Sequence, residues 1–239
     1  MHVSVEASLR KLRTTYIDIL YIHRWDWDSG IEKVMNGLYN LVIQGKVLYL
    51  GISDTPAWVV SQANQYARDH CKTPFAIYQG AWSILDRAFE REIIPMARAN
   101  GLHLVNEEEK RKETGDKGRT LSAFKPKRNE EQRKMVQALE KVAQEVGAKS
   151  VHAVVIAYVM QKVPYCFPII GGRKIENLMS KVEALDISLS HAQIKYLESI
   201  LPFDPGFPHT MIGDGKEYRI LTAVFEKRLF LEPIWPSKD

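Results

Sequence analysis

The residues able to do chemistry stand at the ends of apolar runs. The stretch YIDILYIHRWD is apolar and β-branched up to His23, then turns to Arg24, Trp25 and Asp26. A second run, KVLYLGIS, ends at Ser53 with Asp54 next, and a third, PFAIYQG, carries Gln79 near its end. A later run, CFPIIGG, brings Gly171 and Gly172 in front of Arg173 and Lys174. An imidazole can donate, accept and carry a proton near neutral pH. A serine hydroxyl and a glutamine amide at neighbouring strand mouths can satisfy a primary amide with few rotamers to freeze. Paired glycines let an anion reach backbone N–H groups at a helix start, and Arg173 and Lys174 add fixed positive charge. Each signal also has a plainer reading. His23 could be a satisfied core histidine, Ser53 a helix cap, Gln79 a loop hydrogen-bonder, and the Gly-Gly-Arg-Lys turn could bind nothing. Strand alternation puts Tyr21 on the face of His23 one layer deeper, where it reads as filling. Trp58, Tyr66 and Tyr78 read as packing.

The elements that must position these residues alternate strictly. Val5, Leu9 and Leu12 share one face of a first helix that Ser4 can cap. A buried strand over residues 17–23 follows, then a helix marked by Ile31, Met35, Leu38 and Val42 that Gly45 ends. The second strand closes at Ser53. Asp54 and Thr55 are candidate caps, and Pro56 suits the first turn of a helix reaching about Asp69. A third strand to Gln79, a helix ending before Gly101, and a short fourth strand LHLV come next. Helices over 130–146 and 151–161, a fifth strand at CFPIIGG, and a helix over 174–185 complete the alternation. SHAQ at Ser190 to Gln193 fits a capping box for one more helix. Continuous apolar strands separated by helices predict an α/β architecture with a parallel sheet. No Gly-x-Gly-x-x-Gly turn follows a strand, so an (β/α)8 barrel of TIM type is the better fit, with its chemistry at the strand ends. Five strands are countable where such a barrel has eight, so the barrel is incomplete. One domain over residues 1–239 is expected, with a charged loop at 106–129 and an irregular tail at 202–239.

Composition narrows the classes. The chain has 239 residues, 45% apolar and 26% charged, ordinary for a globular protein. Its net charge of +4 is spread through mixed-sign stretches rather than one basic face with interleaved aromatics, which argues against nucleic-acid binding. No apolar run approaches the ~20 residues of a membrane helix, and no signal-peptide core follows Met1, so a cytoplasmic protein is expected. Cys71 and Cys166 make neither a disulfide framework nor a metal-ligand spacing; no metal site is expected and both read as buried or half-buried thiols.

Four motifs, SLRKLRTTYIDILYIHRWD, GKVLYLGISDTPAWVV, YQGAWSILDR and FPIIGGRKIENL, occur in the order in which they stand in the aldo-keto reductases. The chain closely resembles that family from Val3 to about Gly213, in the fungal branch of aryl-alcohol dehydrogenases and norsolorinic acid reductase-like enzymes. The resemblance implies NADP(H)-dependent reduction of an aldehyde or ketone on a (β/α)8 barrel. The implied substrate is a small aryl or secondary-metabolite carbonyl, such as a polyketide or terpenoid intermediate. In that family a Tyr acts as general acid, tuned by a Lys and an Asp, while a His orients the carbonyl. His23 matches the His; the segments that carry the other three stand earlier in the family's order and are absent from this sequence. Ser53, Asp54 and Gln79 match positions that bind the nicotinamide carboxamide, Asp54 where relatives often carry Asn. Gly171, Gly172, Arg173 and Lys174 match the phosphate-binding turn, with Arg173 and Lys174 suited to the 2′-phosphate of NADP. Asn177 and Lys181 stand where relatives commonly carry Gln and Asn. The alternative reading is a catalytically inactive, truncated relative that acts through cofactor or protein contacts. A five-strand arc would leave two parallel edges open, inviting self-association.

Overall fold

The apolar runs do form strands, and they stop where their chemistry begins. In the computed structural model, which describes residues 1–107, 130–171 and 174–213, β1 spans Ile17–His23, β2 Val47–Ser53 and β3 Phe75–Ala81. β4 spans His103–Glu107 and β5 Cys166–Ile169. The sheet order is β1-β2-β3-β4-β5, each strand beside its successor in sequence. β1 with β2 and β2 with β3 pair in parallel, as helical crossovers require. β3 runs two residues beyond Gln79. Asn106 and Glu107, assigned to the charged loop, instead end β4; the rest of that loop lies outside the described residues.

The chain divides into two compact units, residues 1–80 with 92–105, and residues 81–91 with 106–239. In the first, helices α1 (His2–Leu12), α2 (Ile31–Ile43), α3 (Ala57–Asp69) and α4 (Ile93–Asn100) stand between the strands. Met35, Leu38, Leu50, Ile52 and Phe75 are fully buried among them. The end of α2 follows from Gly45: its φ of +69° is open to glycine at no steric cost, and the Gly45 and Lys46 N–H groups donate to the Val42 and Leu41 carbonyls. Asn64 pins α3 to the start of β3, donating to the Phe75 carbonyl at 3.0 Å and accepting from the Phe75 N–H at 2.8 Å.

Three local expectations change. Ser4 lies inside α1, which starts at His2. Neither Asp54 nor Thr55 caps α3; Pro56 occupies the N-cap and Thr55 Oγ1 donates to the Ser53 carbonyl at 3.0 Å. β1 is not a buried strand: none of its residues is fully buried and Ile19 is 39% exposed. It is the end strand of the sheet among the described residues, so only one of its edges is paired there.

In the second unit, α5 (Glu130–Val146), α6 (Val151–Lys162), α7 (Ile175–Val182), α8 (His191–Ile200) and the short α9 (His209–Ile212) are present. Met135, Leu139, Tyr158 and Leu197 form its core. The expected capping box opens α8, with Ser190 and Gln193 bonding each other's backbone N–H. The helix expected over 174–185 ends at Val182 and tightens into a 3-10 turn over Glu183–Asp186. The tail is irregular to Gly213 apart from α9, and residues 214–239 lie outside the described part. Cys166 is buried, which pushes its thiol up to about 12, whereas Cys71 is exposed. No helix among the described residues is long and apolar enough to cross a membrane.

Candidate active site

Parallel pairing in register brings His23, Ser53 and Gln79 abreast. His23 is the partner of Ser53 across β1 and β2, and Ser53 the partner of Gln79 across β2 and β3. The three residues therefore stand at one level, at the carboxyl ends of three neighbouring strands, where parallel α/β folds place chemistry. Their backbones are tied together one residue further on. The Arg24 N–H donates to the Ser53 carbonyl at 3.0 Å and the Asp54 N–H to the Gln79 carbonyl at 3.2 Å.

Arg24 and Asp54 both leave their strands in the left-handed region, at φ +67° and +46°. For a side chain with a Cβ this costs ~1–2 kcal/mol, least for Asp, whose short side chain bonds locally. At Asp54 the turn has a visible result: its Oδ2 lies 3.3 Å from His23 Nε2. A carboxylate can only accept, so the contact places the proton of that bond on Nε2. The pair is open to water, with the His23 side chain 64% exposed and that of Asp54 45%.

The layer beneath holds this mouth in place. Tyr78 is buried, as expected of packing, and its hydroxyl also donates to the Thr55 carbonyl at 2.7 Å and accepts from the Thr55 N–H at 3.1 Å. Burial pushes its phenol up to about 12 against the opposing Thr55 bond, with the Asp54 charge adding to the rise. Tyr21 lies one step below His23 with its ring over Gly51. A Cβ on Gly51 would come within 2.6 Å of that ring, so the glycine is what lets the tyrosine lie flat on the sheet. Burial raises the Tyr21 phenol, in keeping with a filling role rather than an acid's. Tyr66 stacks on His70 at 4.1 Å. Trp58 does not pack inside: it is 61% exposed at the start of α3 and faces Trp27 of the loop after β1. The period of α3 places Val59, Val60 and Ala63 inward and leaves Trp58 on the other side.

The phosphate-type turn lies in the second unit. Gly171 is exposed, and Lys174 is the exposed N-cap residue of α7, in extended conformation. Asn177 is exposed in the first turn, and Lys181 reaches back to donate to the Gly171 carbonyl at 3.0 Å. Gly172 and Arg173 lie outside the described residues. A phosphate suits the part that is described: an exposed lysine at the N-cap of a helix, three residues after an exposed glycine.

Sequence reasoning missed the His23–Asp54 contact and the Trp27–Trp58 pair. Each joins residues 31 apart in sequence, on the segments following β1 and β2, which meet only because those strands are neighbours in the sheet. The left-handed turn at Asp54 is the one local signal, since Asp tolerates it where most residues do not.

The model of the Aldo/keto reductase family matches residues 1–202. An NADP(+) aryl-alcohol dehydrogenase of Phanerodontia chrysosporium is 56% identical over 235 residues, 92% of this chain and 61% of the relative. A putative aryl-alcohol dehydrogenase of Saccharomyces cerevisiae is 55% identical over 97% of this chain and 82% of its own length. Norsolorinic acid reductase B of Dothistroma septosporum is 48% identical over 89% of this chain and 56% of its own. Among solved structures, a thermostable aldo-keto reductase crystallised with epalrestat superposes with a TM-score of 0.67 at 24% identity, over 82% of this chain and 64% of that one. That likeness gives the fold, the incomplete barrel expected from the strand count. The chain spans about three fifths of the length of the Phanerodontia relative. The chain belongs to the aldo/keto reductase family.

Proposed function

We propose that this chain takes part in the NADP(H)-dependent reduction of an aldehyde or ketone to an alcohol, on an aryl or secondary-metabolite carbonyl. One observation carries the reading: His23, Ser53 and Gln79 stand abreast at three adjacent strand ends. The names of the relatives support the aryl substrate and the choice of NADP over NAD, within a family that works with NAD(P)H.

When bound, the cofactor supplies the hydride that goes to the carbonyl carbon. The chain's own residues do the rest. Ser53 and Gln79 offer a hydroxyl and an amide to the carboxamide, which orients the nicotinamide ring. Gly171, Gly172, Arg173 and Lys174 receive the phosphates, Arg173 and Lys174 meet the 2′-phosphate, and Asn177 contributes from the first turn of α7. His23 donates its Nε2 proton toward the carbonyl oxygen, so the substrate oxygen takes the place that Asp54 holds in the free chain. As negative charge develops on that oxygen, the protonated His23 ring stabilises it, transfers its Nε2 proton to complete the alcohol and is left as neutral imidazole, which takes a proton back from water. The test is NADPH consumption with an aromatic aldehyde. His23→Gln keeps a hydrogen-bond donor but has no proton to give up, so turnover falls by ~10²-fold or more while cofactor affinity holds. Tyr21→Phe has little effect. Abolition by Tyr21→Phe with His23→Gln spared would move the acid to Tyr21.

A second reading is a non-catalytic relative acting through contacts with other chains, itself included. It is favoured by the end strand β1 and by the open sheet face beside it, where Ile19 is 39% and Tyr49 58% exposed. Sedimentation across the micromolar range tests it; a stable monomer throughout contradicts it.

A further inference from the structure

Four residues after His23 stands Trp27, and four after Asp54 stands Trp58. The segments that follow β1 and β2 thus meet twice, once between their strand-end turns through the 3.3 Å His23–Asp54 contact and once between the β1 loop and the start of α3 through the two indoles. Their ring centroids are 6.3 Å apart and their planes inclined by 31°. The second contact buries neither partner: Trp27 is 68% and Trp58 61% exposed. Two large apolar rings left in water beside a candidate active site need an explanation that packing does not supply. Both sit on firm supports. Trp58 lies in the first turn of α3. Trp27 lies on a turn that Asp26 closes, accepting from Ser29 Oγ at 2.7 Å and from the Asp28 N–H at 3.1 Å, with the Ser29 N–H on the Asp26 carbonyl.

We propose that Trp27 and Trp58 form a stacking platform that holds the aromatic ring of an uncharged aryl carbonyl compound. The platform rests on the reading of the site given above and names the residues that select its substrate. Area favours a small molecule as the occupant of these two rings: two indoles offer at most ~150–250 Å² each, well short of the ~800 Å² per partner of a stable protein interface. Chemistry selects an aryl carbonyl over an aliphatic one. The indole face is electron-rich, and a ring that bears a carbonyl is electron-poor, so offset stacking favours it over a saturated ring of the same size. Charge selects against aryl carboxylates, because Asp26, Asp28 and Asp54 stand in the same two loops against the single guanidinium of Arg24.

The experiment follows the five tryptophan indole N–H signals of the full chain, labelled with nitrogen-15, during titration with acetophenone, cyclohexyl methyl ketone or benzoate. Single Trp27→Phe and Trp58→Phe variants assign the two signals, and the signal of buried Trp82 reports that each variant is folded. Acetophenone is expected to shift the Trp27 and Trp58 signals saturably and leave Trp82 in place. Cyclohexyl methyl ketone and benzoate should bind at least threefold more weakly, and Trp58→Ala should weaken acetophenone by about three- to tenfold. Unmoved Trp27 and Trp58 signals overturn the platform, as does equal affinity for the aryl and cyclohexyl ketones or an unchanged affinity in Trp58→Ala. Binding is read without turnover, so the two claims separate. Saturable shifts without NADPH consumption would sink the catalytic reading and keep the platform; consumption without shifts would do the reverse.

Discussion

Replacing Arg87 by Met should destabilise the second unit far more than its position in a turn suggests. Arg87 is only 11% exposed and binds Glu90 twice, Nε to Oε1 at 2.8 Å and Nη2 to Oε2 at 2.7 Å. Glu198 lies 3.6 Å from Arg87, pairs with Lys162 and accepts from the Tyr158 hydroxyl at 2.9 Å. Lys162 also stands 3.6 Å from Glu90. Two cations and two anions thus balance in a largely buried cluster. Removing Arg87 leaves the Glu90 carboxylate, 14% exposed, with Lys162 and the Trp82 indole at 3.4 Å. An orphaned buried charge costs ~3–5 kcal/mol, and the remaining lysine sets the expectation at the low end, ~3 kcal/mol or ~6–12 °C in Tm. Arg87→Met with Glu90→Leu removes both signs together and should cost only ~1 kcal/mol, chiefly for the unpaired Trp82 indole. Burial alone would raise the Glu90 carboxyl, but the Arg87 bonds and the Lys162 charge outweigh it and hold the group below its ordinary value of 4.5. A depressed carboxyl adds stability that is complete above that ordinary value and fades as pH falls through the folded one. The penalty of Arg87→Met should therefore be full at pH 7 and shrink in acid. Urea unfolding followed by circular dichroism and tryptophan fluorescence measures all three. A single-variant cost below ~1 kcal/mol, or a double variant as costly as the sum of the singles, would refute the argument.

Gly51→Ala should cost ~1–3 kcal/mol in the same assay, because its Cβ would sit 2.6 Å from the Tyr21 ring, and adding Tyr21→Ala should recover most of the Gly51 term. Ser190→Ala should cost ~1 kcal/mol in thermal unfolding by opening the capping box of α8, and Ser190→Asp should restore most of it. Arg173→Ala should weaken NADP(H) much more than NAD(H) in a fluorescence titration, since only the former carries a 2′-phosphate; equal losses would remove Arg173 from that role.

Much of this fold was legible from local pattern. β1 and β2 end at the predicted His23 and Ser53 because each apolar run stops there, and α5 and the capping box of α8 follow from amphipathic period and cap chemistry. What could not be read depends on neighbours in space. The exposure of β1 is set by its place at the end of the sheet, not by its apolar residues. Helical period separates the inner from the outer face of α3, but only the geometry brings Trp58 of that outer face to Trp27. Arg87 and Glu90 are three apart and pair within reach of any helix-like turn, whereas Glu198 joins them only through the packing of α8. Likewise the strand mouths carried His23 and Asp54 as separate signals, and the left-handed turn made them partners.

On the proposed reading, this chain moves a hydride from NADPH to a carbonyl carbon beside His23. Its most direct test incubates the chain with benzaldehyde and NADPH bearing deuterium at both C4 positions, then weighs the benzyl alcohol by mass spectrometry. Alcohol carrying one deuterium on its carbinol carbon is expected, formed slowly. The proposed step relies on His23 alone as the acid, and lacking a second, dedicated acid is expected to cost ~10²–10⁴ in rate. Loss of His23 should lower the yield further. Benzyl alcohol without the label, or none above a control lacking the protein, would contradict it.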